Sequence, residues 1–245
     1  MTGERAQSFG SVAEQYDEFR PGPPPEAASL LGDLNGVSVL EVAAGTGLWS
    51  RFLLGQGASL TVVEPNEQMR AVLERRSPGV PALVGTAESL PVKDASFDVV
   101  VSSSAWHWFR QPDATLEMAR VLKDDGRIFV FWNGFARDVE WVQELTRLRD
   151  DEGDTKPRPR GWTATELADG PFHDVTDVAV DWTWPRTPAQ IVALFGTYSG
   201  VIVRSETERS LIDAKVRARL ADVADGAEID LPMTLRGTTA RRSAR

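Results

Sequence analysis

The chain has 245 residues, 42% of them apolar and 26% charged, with a net charge of −9 and no cysteine. That length makes one large domain or two small ones, with enough apolar residues for a sizeable core. The missing cysteines exclude disulfides, thiolate metal sites and cysteine nucleophiles, and the acidic balance argues against broad binding to nucleic acid or a membrane surface. No apolar run approaches the roughly 18 residues of a membrane helix. The opening MTGERAQSFG lacks the apolar stretch of a secretory signal, so a cytoplasmic protein is expected. No metal-binding cluster is apparent. Residues 236–245 carry four arginines and read as a short solvated terminus.

In chain order, Phe9, Val12, Tyr16 and Phe19 form a helical stripe that the run Pro21–Pro25 stops. From Gly36 to Asn133 strands and helices alternate. The strands are expected at 37–42, 58–63, 81–84, 98–102 and 126–132. Asn66 caps a helix carrying Met69, Val72 and Leu73, and Pro112 opens another carrying Leu116, Ala119 and Leu122. Short apolar strands alternating with helices imply a parallel sheet covered on both faces. Beyond Asn133 the rhythm changes. A helix over 138–149 leads into the charged, Pro/Gly-rich stretch 150–161. Thr163 with Glu166 reads as a capping box, and residues 175–184 alternate as a strand. Ile191, Leu194, Phe195 and Tyr198 form a helical face. Ser205 with Glu208 reads as a second capping box, and residues 228–238 form a closing strand.

The most informative stretch is Gly36–Ser50. A strand ends at Glu41-Val42, turns through Ala43-Ala44-Gly45-Thr46-Gly47 and resumes as a helix. Glycines there let the backbone approach a ligand closely, and the first free amides of the helix are donors. A nucleotide-like ligand fits. The Gly-Lys-Ser/Thr ending of a phosphate loop is absent, and the third glycine of a dinucleotide fingerprint is replaced by Ser50 after the bulky Trp49. Neither tyrosine has a lysine four residues on, as a short-chain dehydrogenase needs. That leaves ligands without a pyrophosphate.

At this point the sequence resembles the small class I S-adenosylmethionine-dependent methyltransferases, of the methyltransferase type 11 kind. The resemblance rests on ordered pieces: Phe9, Tyr16-Asp17 and Arg20-Pro21; Glu41 to Gly47; Glu64 in VVEPNEQM; Gly85 to Pro91; Ser96 to Val100 running into Ala105 to Phe109; and VLKDDGRIFVFWN. It implies a Rossmann-like α/β fold. The sheet would have seven strands, mostly parallel with an antiparallel last strand, helices on both faces and a helical insertion after strand five. It also implies a single domain over 1–245, with an N-terminal helical lid (1–35), a cofactor-binding core (36–133) and acceptor-pocket insertions with the last two strands (134–245).

The resemblance assigns S-adenosylmethionine to Tyr16, Arg20, Glu41, Ala43, Gly45, Gly47, Glu64, Pro65, Met69, Thr86, Ala87, Glu88 and Ser103, with S-adenosylhomocysteine as product. Glu64 would accept the ribose hydroxyls, and Arg20 would pair the cofactor's carboxylate. Ala43 stands where glycine is commoner, and Thr86 where the family often has aspartate. Ser103 and Ser104 would face the sulfonium. His107, whose ordinary pKa lies near neutrality, is the candidate general base. Trp106 and Trp108 either wall an acceptor pocket or pack a lid. Trp141, Trp162, Trp182, Trp184, Phe195 and Tyr198 would set acceptor specificity. The expected activity is methyl transfer to a small, mainly apolar or aromatic acceptor by a monomer or homodimer, with no nucleic-acid, membrane or metal partner. Two other readings stand beside it: a methyltransferase fold that runs a cyclisation or rearrangement, and a non-catalytic binding module.

Overall fold

The alternation of strand and helix is realised in a computed structural model that describes residues 8–149, 161–224 and 226–244. The charged stretch expected over 150–160, and Arg245 of the basic terminus, lie outside the described residues. A 3-10 turn at Phe9–Val12 leads into α1 (Ala13–Phe19), and α2 (Ala27–Leu31) follows the proline run. Next come β1 (Ser38–Val42), α3 (Leu48–Gly55), β2 (Ser59–Val63), α4 (Glu67–Arg76), β3 (Ala82–Leu83) and β4 (Phe97–Ser103). A 3-10 turn at Trp106–Trp108 precedes α5 (Asp113–Val121) and β5 (Leu122–Phe135). The remainder is α6 (Glu140–Arg149), α7 (Trp162–Ala168), β6 (Phe172–Arg186), α8 (Pro188–Gly196), α9 (Ser199–Ile202), α10 (Glu206–Ala221) and β7 (Ile229–Arg242).

The seven strands form one sheet in the order β3-β2-β1-β4-β5-β7-β6. β1 pairs in parallel with β2 and β4, β2 with β3, and β4 with β5, while the last strands run antiparallel. The chain steps outward from β1 to β3 and then returns to β4 beside β1. This reversal opens a crevice beyond the carboxyl ends of β1 and β4, where an open α/β sheet takes its ligands.

The chain divides into two compact units. The first holds the described residues of 22–133, 159–180 and 235–245. Its strands alternate their side chains between two apolar layers. Leu40 and Val42 of β1, Val100 of β4 and Ile128 and Val130 of β5 pack with Ala114, Met118 and Val121 of α5. Val39, Val99, Val101, Phe129 and Phe131 point the other way, to Leu31 of α2, Trp49 and Leu53 of α3 and Leu73 of α4. Each large apolar side chain buried this way contributes roughly 1.5–3 kcal/mol, which is why near-continuous apolar strands are stable only with both faces covered.

One expectation is corrected in this unit. Thr163 does not cap a helix with Glu166. α7 starts at Trp162 after Gly161, whose φ is 75°, and Thr163 is buried within its first turn. Glu166 is engaged elsewhere, because its Oε2 accepts the Trp106 Nε1 hydrogen bond at 2.6 Å. Trp162, at the first helical position, packs against Trp132 with ring centroids 5.6 Å apart.

The second unit holds the described residues of 1–21, 134–158 and 181–234. Its core joins Val142 and Leu145 of α6, Ile191, Leu194 and Phe195 of α8, Ile212, Val216 and Leu220 of α10, and Leu231 and Met233 of β7. The capping box expected at Ser205 and Glu208 forms, and a second one, Thr187 with Gln190, opens α8. Phe195 is fully buried and stacks on Phe135 at 5.9 Å, and Trp184 is also buried, so both are core side chains here.

Gly237 of β7 tests the packing of the first unit. A Cβ there would lie 2.5 Å from Phe131 Cδ1 and 2.5 Å from the Val130 carbonyl oxygen. Phe131 cannot yield, because it is fully buried and stacked on Trp49 at 4.8 Å. Gly237→Ala is therefore expected to lower unfolding free energy by about 1–3 kcal/mol, read as a lower urea midpoint at unchanged m-value.

Candidate functional site

The first unit builds a cradle where β1 and β2 end. After Val42 the chain takes left-handed conformations at Ala43 (φ 57°), Gly45 (φ 59°) and Gly47 (φ 83°). The Ala43 N–H donates to the Val63 carbonyl at 2.8 Å, and the Gly47 N–H to the Ala44 carbonyl at 3.0 Å, so the loop doubles back against β2. Gly47 is the N-cap of α3 and supplies no side-chain cap. A Cβ at Gly47 would meet Leu73 Cγ at 2.9 Å, so only glycine fits there, both in space and in backbone conformation. At Gly45 a Cβ would lie 3.8 Å from Met69 Cε, leaving the loop open to an incoming group.

Glu64 follows β2 directly and is buried. Its Oε2 accepts the Gly45 N–H and its Oε1 the Asn66 N–H, both at 2.8 Å. Burial pushes its carboxyl above the ordinary value, opposed by these two amides and by the Arg70 guanidinium. Pro65 is exposed between Glu64 and Asn66, and Asn66 caps α4 by accepting the Met69 N–H at 3.0 Å. Met69 is buried, with its terminal methyl toward Gly45.

Glu41 sits on β1, on the face that Val39 shares with α3. It is buried and accepts the Ser50 hydroxyl at 2.5 Å. Burial pushes its pKa up to about 8; the Ser50 hydrogen bond and Arg51 act against that rise, and Glu64 adds to it.

The structure thus brings Glu41, Ala43, Gly45, Gly47, Glu64, Pro65 and Met69 to the ends of two neighbouring strands. Beyond β3, Thr86 and Ser89 form a bridge that closes a short turn, with Ala87 buried and Thr86 exposed. Glu88 Oε1 accepts the Arg110 N–H at 2.7 Å. Ser103 ends β4, and the following Ser104 is left-handed (φ 56°), with its N–H on the Phe131 carbonyl at 2.7 Å. His107 lies in the 3-10 turn, half-buried, with its ring 4.5 Å from that of Trp108. Trp106 is fully buried in the core of the first unit.

Tyr16 and Arg20 belong to the second unit. The Arg20 guanidinium lies 4.9 Å from the Tyr16 ring centroid and 3.9 Å from that of Tyr198, and it donates to the Thr197 carbonyl at 2.9 Å.

Sequence reasoning missed Ser50 and Thr46. Ser50 is fully buried between Trp49 and Leu53 on an apolar helix, and a serine nine residues after a strand acid was the available signal. Thr46 is buried in the loop, and its Oγ1 has no partner among the described residues.

This arrangement suits a ligand with a diol and an amino-acid end. Each Glu64 oxygen takes one N–H and keeps a lone pair for a hydroxyl. The amides at the start of α3 and the orphaned Thr46 hydroxyl are free to bond a polar tail. Among the described residues no group of His, Cys, Asp or Glu could hold a metal ion, and no helix is long and apolar enough to cross a membrane.

Residues 40–130 match the family model described as "Methyltransferase domain". An uncharacterized methyltransferase of Mycobacterium tuberculosis is 36% identical over 214 residues, which is 87% of this chain and 86% of the relative. A demethylmenaquinone methyltransferase of Renibacterium salmoninarum is 36% identical over 101 residues, or 41% of this chain and 43% of the relative. Among solved structures, phosphoethanolamine N-methyltransferase 2 of Haemonchus contortus, in complex with phosphomonomethylethanolamine and S-adenosylhomocysteine, superposes with a TM-score of 0.61 at 14% identity. That match covers 99% of this chain and 59% of the other.

The buried Glu41 yields a stability prediction. Its folded-state pKa lies above its unfolded value, so the unfolded chain releases this proton first as pH rises. Its contribution to stability is full below the ordinary value of 4.5 and is lost as pH rises to about 8. Urea unfolding of the ligand-free protein should show stability falling across that window, and Glu41→Gln should flatten the fall.

Proposed function

Because the chain belongs to the family of class I S-adenosylmethionine-dependent methyltransferases, we propose that it methylates a small, mainly apolar or aromatic acceptor at the cradle built on β1 and β2. S-adenosylmethionine is the cofactor and S-adenosylhomocysteine its product. The observation that carries the assignment of the cradle is the buried Glu64 carboxylate, held by Gly45 and Asn66 with one lone pair per oxygen to spare.

In this reading Glu64 accepts the two ribose hydroxyls. Ala43, Gly45 and Gly47 keep the backbone low enough for the methionyl end, above Glu41. Met69, Thr86 and Ala87 take the adenine side, bordered by Pro65 and Glu88. Ser103 and Ser104 face the sulfur. When bound, the cofactor supplies a methyl group already activated on a sulfonium, so the chain's own contribution is alignment and exclusion of water. His107 takes up a proton where the acceptor must lose one. The aromatic-rich composition of the segments after β5 supports an apolar or aromatic acceptor.

The test is incubation with S-adenosylmethionine and a panel of aromatic, apolar and strongly polar acceptors. S-adenosylhomocysteine should form in step with methylated product, and chiefly with the first two classes. A product formed without S-adenosylhomocysteine, or turnover confined to polar acceptors, would defeat the reading. A second measurement probes the cradle itself. Glu64→Ala removes charge-assisted acceptors and should weaken cofactor binding in calorimetry by about 1–3 kcal/mol, or roughly five- to 150-fold.

A further inference from the structure

Ser50 has no packing reason to be serine. It is fully buried on α3, flanked by Trp49 and near Leu53, on the helix face that meets β1. A buried helical serine commonly returns its hydroxyl to the carbonyl one turn back. This hydroxyl instead crosses to β1 and donates to Glu41 Oε2 at 2.5 Å. Three groups bear on the Glu41 charge: Ser50 and Arg51 from α3, and Glu64 from the end of β2. Arg51 gives Nη1 to the Thr46 carbonyl at 3.2 Å, so it also braces the loop. Ser50 is the group hydrogen-bonded to the carboxyl, directly below the turn that Ala43 opens.

The cofactor carries an ammonium and a sulfonium against one carboxylate, and so a net positive charge. A cation placed above a buried carboxyl favours the anion, because attraction at short range is weakly screened there. On the reading that the cofactor occupies this cradle, we propose that Ser50 is a positioning residue. Its hydroxyl holds the Glu41 carboxylate as an anion beneath the loop when the cofactor binds, so that binding is coupled to release of the Glu41 proton to solvent.

The experiment is titration calorimetry with S-adenosylmethionine between pH 6 and pH 9, in buffers of different ionisation enthalpy, so that protons released are counted as well as affinity. The wild-type protein should release close to one proton near neutral pH, with affinity rising to a plateau above about 8. Ser50→Ala removes the anion's donor. The midpoint of its affinity profile should move up by roughly one pH unit, with affinity at pH 7 about ten-fold weaker and mostly recovered at the alkaline end. Glu41→Gln, which keeps the side chain's shape, should release no such proton and show a flat profile. It serves if Ser50→Ala does not fold. An unchanged midpoint in Ser50→Ala, or the same proton released by Glu41→Gln, would overturn the proposal. So would tight wild-type binding without proton release, which leaves the cofactor assignment standing; no binding by the wild type would remove both.

Discussion

The site depends on one buried carboxylate that accepts from two backbone segments. Glu64 holds the Gly45 amide on one oxygen and the Asn66 amide on the other, so a single group ties the loop after β1 to the start of α4. Taking a carboxylate out of water costs several kcal/mol, and each charge-assisted hydrogen bond returns about 1.5–3. Two amides therefore offset the burial without exceeding it, in agreement with the upward displacement of this carboxyl. The carboxylate keeps unused acceptor capacity at a place where the backbone is already fixed. Such a group binds a diol at little further cost in ordering, because the partners it needs are pre-arranged.

That arrangement rests on packing further from the cradle. Trp49, in the first turn of α3, stacks on Phe131 at an interplanar angle of 9°, and Phe131 in turn lies against Gly237 with no room for a methyl group. This aromatic pair and the glycine behind it fix a contact between the first turn of α3 and the sheet. Leu73 of α4 closes on Gly47 from the other side. The loop is a narrow strip between two rigid contacts, and its left-handed residues are held there by those contacts as much as by their own preferences.

The core of the fold was legible because its signals are local. β1, β2 and β4 are apolar runs of the kind a sheet buried on both faces requires, with Asn66 opening the helix after β2 and Pro112 the helix after β4. Glu64 stands out in the sequence as an acid closing an apolar strand, and the structure buries it there against two backbone amides. What the sequence hid depends on distant partners. Thr163 and Glu166 have the spacing of a capping box, yet the Trp106 indole claims the carboxylate and Trp162 finds a partner in Trp132. The fifth strand starts at Leu122 rather than 126, because Lys123 to Gly126 form an irregularity in register that leaves the strand and rejoins it. Phe195, expected among the residues that set acceptor specificity, is fully buried core, since the use made of an apolar helix face is decided by what lies against it. Ser50 carries only a faint signal for the same reason: the nine-residue spacing to Glu41 is in the sequence, but the hydrogen bond that gives it meaning depends on how α3 lies against β1.

Ala43 shows how the tie and the packing act together. A left-handed alanine costs about 1–2 kcal/mol relative to its right-handed form, and glycine would avoid that cost. The Ala43 amide is fixed on the Val63 carbonyl, and the Ala44 amide reaches the same oxygen at 3.3 Å. Those bonds recover an amount comparable to the strain. The methyl group also shrinks the conformational space of the unfolded chain, where glycine would have been freest. At a positive φ that gain is smaller than the strain, so Ala43 is a tolerated cost in a loop held by other contacts, while Gly45 and Gly47, where side chains would strain the backbone or strike Leu73, stay glycine. The small residues of this turn are thus not interchangeable: each marks a different limit, of backbone conformation at Gly45, of space at Gly47, and of tolerable strain at Ala43.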